Sequence, residues 1–193
     1  LVLTTEPGNT LESNTAIQIS AANGTTENTD YDAASFPKTV TFTAGQGNGD
    51  TRTVSIDPAN DNLVEGDETV TLAIVDGDLL RGGGQTTHTV TIVDADSATV
   101  RFQAATTTVG EDGVSETLIT LVLITAGSNT LENDTTIQIS ATNGTAENDD
   151  YDWTSFPKTV TFTAGQGDDD TQTVSFAPAS DTLVEGNETV TST

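Results

Sequence analysis

The chain has 193 residues, with 30 Asp or Glu against 5 Lys or Arg, and its formal net charge is −25. So acidic a surface excludes the basic patch that nucleic-acid binding requires, and it argues against adhesion to anionic lipid. The absence of Cys excludes disulfides and thiolate metal sites. The sequence has no run of 18 or more apolar residues, so it predicts no transmembrane helix. Because the sequence starts at Leu1, we expect a mature or excised piece of a longer protein.

Short segments in which apolar residues alternate with Thr or Ser follow one another along the chain. This period of two, with many β-branched residues, is typical of half-buried strands. Asn23-Gly24 and the Gly-rich segment 44–50 predict turns. In chain order, the predicted strands are 39–44, 51–56, 68–75, 88–93, 98–102, 116–124 and 136–140.

A repeat of 120 residues organises the chain. Residues 1–73 match residues 121–193 at about 51 of 73 positions, and "FPKTVTFTAGQG" at 36–47 returns unchanged at 156–167. A unit of this length has the size of a whole domain. With about seven short strands per complete repeat, we predict an all-β chain of two tandem immunoglobulin-like antiparallel β-sandwiches. The residues predicted to face inward are Val40, Phe42, Val54, Ile56, Val70, Leu72 and Ile74.

The two repeats do not start in phase with the chain. Residues 98–120 have no counterpart before Leu1, and residues 74–96 have none after Thr193. We therefore predict one domain at 1–96 that lacks its first strand and another at 97–193 that lacks its last strands. Flanking sequence is the favoured source of the missing strands, and donation of a strand by a neighbouring identical chain is the alternative.

Carboxylates recur at the predicted ends of strands. The segment "DNLVEGDETV" at 61–70 returns as "DTLVEGNETV" at 181–190, and further acids lie in predicted turns or follow a strand. Several turns meet at one end of a sandwich, so these carboxylates can converge on a cation. Ca²⁺ takes six to eight oxygen ligands in irregular geometry, which such loops supply. The alternative is that the acids only cap turns and keep the surface soluble.

The segments "DYD", "TVTFTAGQG", "TRTVSI", "DNLVEGDETVTLAIVDG" and "TVTIVDAD" resemble the Calx-beta domain. This is a calcium-binding sandwich of sodium–calcium exchangers, integrin β4 and large bacterial surface proteins, and the resemblance covers nearly the whole chain as two copies. It implies Ca²⁺ ligands from an Asp before Tyr, the acidic segment, the closing Asp residues and a Glu in the first turn. In the first copy these are Asp30, Asp61, the Leu63 carbonyl, Glu65, Glu68, Asp94 and Asp96. In the second copy they are Glu111, Asp150, Asp181, the Leu183 carbonyl, Glu185 and Glu188.

The acidic segments depart from the pattern of the exchangers, which have three adjacent Asp. Here the runs are Asn60-Asp61-Asn62, Ser180-Asp181-Thr182 and Asp94-Ala95-Asp96. Fewer carboxylates predict fewer ions and weaker binding, closer to the extracellular range of about 10⁻⁴–10⁻³ M than to the range of sensors.

Other motifs favour no catalytic function. The chain has nine aromatic residues, too few to suggest a sugar-binding groove, and one histidine, His88, without a second His or Cys near it. Lys38 and Lys158 follow Phe-Pro at predicted strand starts, where we expect them to be exposed. We therefore predict that the protein is not an enzyme.

The arrangement of the repeats suggests a structural role. Only six residues separate Val93 from Val100, without a Gly/Ser-rich linker, so the junction between the domains is short. We predict a bacterial extracellular or cell-surface stalk, adhesin or filament in which Ca²⁺ stiffens the junctions. The expected partners are neighbouring repeats of the same chain or identical chains, with no nucleic acid and no membrane insertion. A calcium-sensing regulatory module of a larger membrane protein and an accessory domain of a secreted enzyme remain alternatives.

Overall fold

A computed structural model describes residues 1–77, 84–112 and 115–193. The described residues form β-strands and two short 3₁₀ turns, Ala33–Ser35 and Trp153–Ser155. The strands are β1 Thr15–Asn23, β2 Lys38–Phe42, β3 Leu63–Val64, β4 Glu68–Gly77, β5 Thr87–Ile92, β6 Ala98–Phe102, β7 Thr117–Thr125, β8 Thr130–Leu131, β9 Thr135–Ile139, β10 Ala141–Asn143, β11 Lys158–Phe162, β12 Thr171–Phe176 and β13 Val190–Ser192. The prediction of an all-β chain with tandem sandwich domains is confirmed.

The chain divides into two compact units. The first contains Leu1–Asp61 and Gly66–Ala95, and the second contains Asn62–Glu65 and Asp96–Thr193. The short segment Asn62–Glu65 thus belongs to the first repeat in sequence but to the second unit in structure.

One four-stranded antiparallel sheet, in the order β2-β1-β4-β5, forms the first unit's main layer. Alternation along β1 buries Thr15, Ile17 and Ile19 while the residues between them are exposed, as a period of two requires. The predicted inward face is observed. Val40, Phe42, Val70 and Leu72 are buried, and Val54, Ile56 and Ile74 pack against them.

The second unit contains smaller sheets with the orders β12-β7-β6, β11-β9 and β10-β13, all antiparallel. Its core is built around Leu121, Leu123 and Phe162, which are at most 2% exposed. This unit also contains the pairing of β3 with β8, which is parallel. It is the exception to the predicted antiparallel pairing among the strands that the structure describes.

The predicted strand at 51–56 is wrong, although its counterpart in the second repeat is β12. Six residues of β12 pair with residues 117–122 of β7. In the first repeat, only Leu1 and Val2 correspond to that stretch of β7, and they contact Thr51 and Arg52. A strand needs a partner strand that completes its ladder of hydrogen bonds. Residues 51–56 pack apolar side chains against the core but do not form a strand.

Within the described ranges, no helix is long and apolar enough to span a membrane.

Candidate metal centre

A buried tyrosine fixes the first acidic position of each repeat. Tyr31 and Tyr151 are 5% exposed, and each hydroxyl donates to the side-chain oxygen of an Asn, Asn23 at 2.8 Å and Asn143 at 2.7 Å. The bond satisfies a hydroxyl that would otherwise be buried without a partner. The core therefore anchors the residue directly after Asp30 or Asp150.

The Asp side chain itself is held by its own turn. The amide of Glu27 and the hydroxyl of Thr29 donate to the Asp30 carboxylate, which is only 6% exposed. In the second repeat, the amide of Glu147 donates to the Asp150 carboxylate in the same way. Each carboxylate is thus ordered by local bonds that still leave lone pairs for another ligand.

The end of each acidic segment is tied to the Asn-Gly turn. In the second repeat, the Thr189 amide donates to Thr145 Oγ1 at 2.9 Å, and the Gly144 amide donates to the Thr189 carbonyl at 2.8 Å. A Cβ at Gly144 would lie 2.3 Å from Thr189 Oγ1, so only glycine permits this approach. Glu188, which precedes Thr189, is therefore held beside the turn at 143–145.

Within the described part of the second unit, two overlapping groups of carboxylates converge. In each group, the ligand oxygens lie within 4.8 Å of one another, close enough for one metal ion to reach all of them. Every member is a sequence-predicted ligand. Both groups lie in the second unit: one contains Glu111, Asp181 and Glu185, and the other contains Asp150, Glu185 and Glu188. Asp30 and Asp61 belong to the first unit and Glu65 to the second, so their shared role as ligands stays a prediction.

The crowding of the second repeat's carboxylates shifts the pKa of two of them. Loss of hydration within the cluster and the negative charges of Asp181 and Asp150 raise the pKa of Glu185, although this residue is exposed. A hydrogen bond shared with Asp150, loss of hydration and the nearby charges raise the pKa of Glu188 to about 7. These carboxylates are more crowded with negative charge than isolated surface acids, which is the condition that a bound cation relieves.

The structure does not bring every predicted ligand into these groups. Asp94 accepts from the Gly66 amide at 2.8 Å, and its own amide donates to Asp67. Asp96 accepts from the side-chain amide of Asn129. Among the residues that the structure describes, neither belongs to a group of converging carboxylates, so their ligand role stays a prediction.

Glu68 and the two leucine carbonyls also stay predictions. Glu68 begins β4 and lies opposite Ile92 of β5. Leu63 lies in β3, and the Leu183 amide donates to Asp181 Oδ1 at 2.6 Å. That bond forms a turn that holds the Asp181 carboxylate next to Leu183.

Sequence reasoning missed the ion pair that braces the Asp-Tyr-Asp loop. Lys38 Nζ lies 2.6 Å from Asp32 Oδ2 and donates to the Ser55 carbonyl, and Lys158 repeats both contacts with Asp152 and Ser175. The expectation of exposed lysines is wrong, because their side chains are only 20% and 15% exposed. The constant spacing of Asp-Tyr-Asp and Lys in both repeats was the available signal.

The donor set fits a hard divalent cation. The converging groups contain carboxylate oxygens alone, with no imidazole, in an irregular arrangement drawn from turns. Such oxygen ligands suit Ca²⁺, whereas Zn²⁺ favours nitrogen and sulfur. The residues present therefore fit the ion that the sequence predicts.

Two solved structures are similar to the chain. They are the crystal structure of CBD12 from CALX1.2, at 15% identity and a TM-score of 0.39, and that of calcium binding domain CBD12 of CALX1.1, at 15% and 0.36. The chain is covered to 92% and 88% in these comparisons and spans 65% of the length of each structure. No curated protein matches the chain in sequence. The family model of the Calx-beta domain matches it twice, over residues 1–96 and 94–192, and the chain belongs to the Calx-beta domain family.

Proposed function

We propose that the chain is a noncatalytic module that binds Ca²⁺ through the carboxylates at the ends of its strands. The observation that carries this proposal is the pair of overlapping groups in the second unit, which share Glu185. Five carboxylates drawn from three separate parts of the chain meet there. Bound Ca²⁺ would supply the positive charge that this cluster lacks.

The chain's own residues do the positioning. The Glu147 amide and the buried Tyr151 hold Asp150, the turn at Asp181 holds one side of the cluster, and Thr189 holds Glu188. In the first repeat, the ordered and buried Asp30 carboxylate supports a corresponding role for that residue. Three carboxylates per group favour weak binding, for which a dissociation constant of about 10⁻⁴–10⁻³ M is expected.

Calcium titration of the full chain by calorimetry, paired with thermal unfolding in calcium and in chelator, tests the proposal. Glu185→Gln should weaken binding to the second unit at least tenfold, because Glu185 belongs to two groups. Glu116→Gln is the matched control, an exposed Glu outside the converging groups. Equal midpoints in calcium and chelator, or equal effects of the two substitutions, would refute the metal site.

We further propose that the module is a structural repeat of an extracellular bacterial stalk, adhesin or filament, in which Ca²⁺ stiffens the junction between domains. The near-identity of the two repeats and the six residues between Val93 and Val100 support this role. Small-angle scattering of the chain should show a narrower distribution of distances in calcium than in chelator. Identical distributions would contradict stiffening.

The alternatives of a calcium-sensing regulatory module and of an accessory domain predict other measurements. A sensor needs micromolar affinity, whereas a structural repeat outside the cell is saturated by millimolar calcium. A dissociation constant below about 10⁻⁵ M would therefore favour the sensor.

A further inference from the structure

A short segment of the first repeat completes the second unit by adding a strand to β8. The Thr130 amide donates to the Asn62 carbonyl at 3.0 Å, and the Glu132 amide donates to the Val64 carbonyl at 3.3 Å. Leu63 lies opposite Thr130 in this parallel register. Val64 packs against the core of the unit, which contains Leu131. The segment Asn62–Glu65, here named the linking segment, thus provides both backbone bonds and an apolar side chain.

The second repeat contains the same linking segment, which pairs with no strand among the residues that the structure describes. Residues 182–185 read Thr-Leu-Val-Glu, against Asn-Leu-Val-Glu at 62–65. The side chains of Leu183 and Val184 are exposed at 69% and 101%, and the segment forms no strand. Two adjacent exposed aliphatic residues at a position that is half-buried in the other repeat point to a missing partner.

The first unit contains the matching edge. On one side, the Leu11 amide donates to the Gln46 carbonyl, and the Leu11 carbonyl accepts from the Gly45 amide. Leu131 makes the same two backbone hydrogen bonds with Gln166 and Gly165 in the second unit. On the other side, the amides of Thr10 and Glu12 correspond to those of Thr130 and Glu132. Among the described residues, Thr10 and Glu12 make no such backbone bond, and both are exposed. This segment, residues 10–12, is here named the receiving edge.

We propose that a second copy of this chain docks head to tail, with residues 182–185 of one copy bound to the receiving edge of the next. Leu183 then lies opposite Thr10, and Val184 covers Leu11, in the register that β3 and β8 show. The occupant is a copy of this chain because both halves of the contact, and its register, are present in it. Two different surfaces meet, so the contact is heterologous and each copy can bind one copy at either end.

This inference deepens the proposed structural role and rests on it. The segment 182–185 contains the predicted ligands Leu183 and Glu185, but the docking bonds use the carbonyls of Thr182 and Val184, as those of Asn62 and Val64 do in the observed pairing. Its contact area is small, two backbone hydrogen bonds and one or two apolar side chains per junction, so association of free chains is weak. The net charge of −25 opposes it further, which makes moderate salt the right condition for measurement.

Sedimentation of the chain over increasing concentration provides the first test. The average mass should rise above 19.9 kDa as concentration approaches the millimolar range. Val184→Asp should abolish the rise because it places a charge against Leu11. Leu118→Asp is the matched control, since Leu118 is an exposed aliphatic residue of β7, and it should leave the rise unchanged. A chain that stays monomeric, or that associates equally well as Val184→Asp, overturns the proposal.

A mixing experiment tests the direction of the contact. Thr10→Pro removes an amide that the receiving edge must donate, while the bridge of Thr10 to Gly47 uses the Leu11 amide instead. Each variant alone should be monomeric, whereas Thr10→Pro mixed with Val184→Asp should form dimers and nothing longer. Glu12→Pro replaces Thr10→Pro if that variant fails to fold. A mixture that stays monomeric, or that forms long chains, overturns the proposal.

Calcium binding of Thr10→Pro, followed by calorimetry, separates this proposal from the calcium site, because Thr10 lies outside the acidic segments. Unchanged binding together with lost association supports docking through the linking segment. Lost binding would assign the effect to the metal site and overturn docking.

Discussion

Glu188 is the carboxylate whose titration reports the crowding of the second repeat most directly. Its hydrogen bond to Asp150, its reduced hydration and the neighbouring charges raise its pKa to about 7 from an ordinary value of 4.5. A carboxyl group with a raised pKa in the folded state binds more protons than the unfolded chain between these two values. Its contribution to stability is therefore present below pH 4.5 and is lost as the pH rises through 7.

In chelator, we expect the difference in unfolding free energy between the wild type and Glu188→Gln to change sharply between pH 4.5 and 7, with the wild type losing stability as the pH rises. The amide side chain of the variant does not titrate between pH 4.5 and 7, so its contribution to the unfolding free energy stays constant in this range. Thermal unfolding at half-unit pH steps measures the difference. The prediction fails if the two curves stay parallel, and saturating calcium should remove the loss in the wild type.

The Lys158–Asp152 pair should stabilise the Asp-Tyr-Asp loop. Burial raises the pKa of Asp152, but hydrogen bonds from Lys158, Ser155 and Ala177 outweigh it and lower the pKa below 3.8. Lys158→Met keeps the apolar stem and removes the charge, and it should cost about 1 kcal/mol at pH 7. Because a lowered pKa gives stability that is lost as the pH falls, variant and wild type should converge below pH 3.8.

Urea unfolding at pH 7 and at pH 3 measures this effect. Asp152→Asn and the double variant complete a thermodynamic cycle that isolates the pair from its other contacts. A coupling energy that does not depend on pH would contradict the ionic contribution.

At the scale of elements, the Asn143-Gly144 turn packs closely against Thr189, which directly precedes β13. Gly144→Ala would place a methyl group 2.3 Å from Thr189 Oγ1 and 2.7 Å from the Thr189 carbonyl, so the turn must separate from the strand. We expect a loss of about 1–3 kcal/mol and weaker calcium binding, because Glu188 moves with Thr189. Thermal unfolding and calorimetry measure the two effects.

Gly110→Ala is the matched control for the close contact between Gly144 and Thr189. It adds the same methyl group next to Glu111, where the structure gives a new Cβ nothing within 4 Å. It should leave both stability and calcium binding nearly unchanged. Equal losses in the two variants would mean that the close contact at Gly144 is not what positions Glu188.

The comparison of 51–56 with 171–176 shows what the sequence can predict at this scale. "TRTVSI" and "TQTVSF" share four of six residues, and both alternate correctly. Only the second becomes a strand, because only it has six facing residues of β7. Alternation predicts which side chains face inward, and it succeeded for all seven first-repeat core positions, but it does not reveal whether a pairing partner is present.

In the candidate site, too, the sequence predicted some residues and missed the role of others. The residues of the converging groups could be identified in advance, because strand ends and family resemblance both mark them. The bracing role of Lys38 and Lys158 was not predicted, since a lysine at a strand start looks exposed until its Asp partner is placed. The pairing of β3 with β8 joins residues 67 positions apart and has no local signal.

At the scale of the whole molecule, a net charge of −25 opposes folding through repulsion that extends beyond any single cluster. Salt shortens the range of this repulsion from about 30 Å at 0.01 M to about 8 Å at 0.15 M. A diffuse effect of this kind depends on ionic strength and not on the identity of the cation. A site built from converging oxygens depends on the cation's size and charge.

The two contributions should therefore separate in one thermal unfolding experiment. In chelator, the midpoint should rise steadily as NaCl or KCl increases from 10 to about 500 mM, with the two salts equivalent. At fixed 150 mM NaCl, a few millimolar Ca²⁺ should raise it further and reach saturation, although it changes the ionic strength little. Mg²⁺ should do less, because it requires octahedral geometry and gives up its water reluctantly. If Mg²⁺ matches Ca²⁺, or if extra NaCl of equal ionic strength reproduces the calcium effect, the carboxylates act only as diffuse surface charge, and Glu185→Gln should then behave like Glu116→Gln.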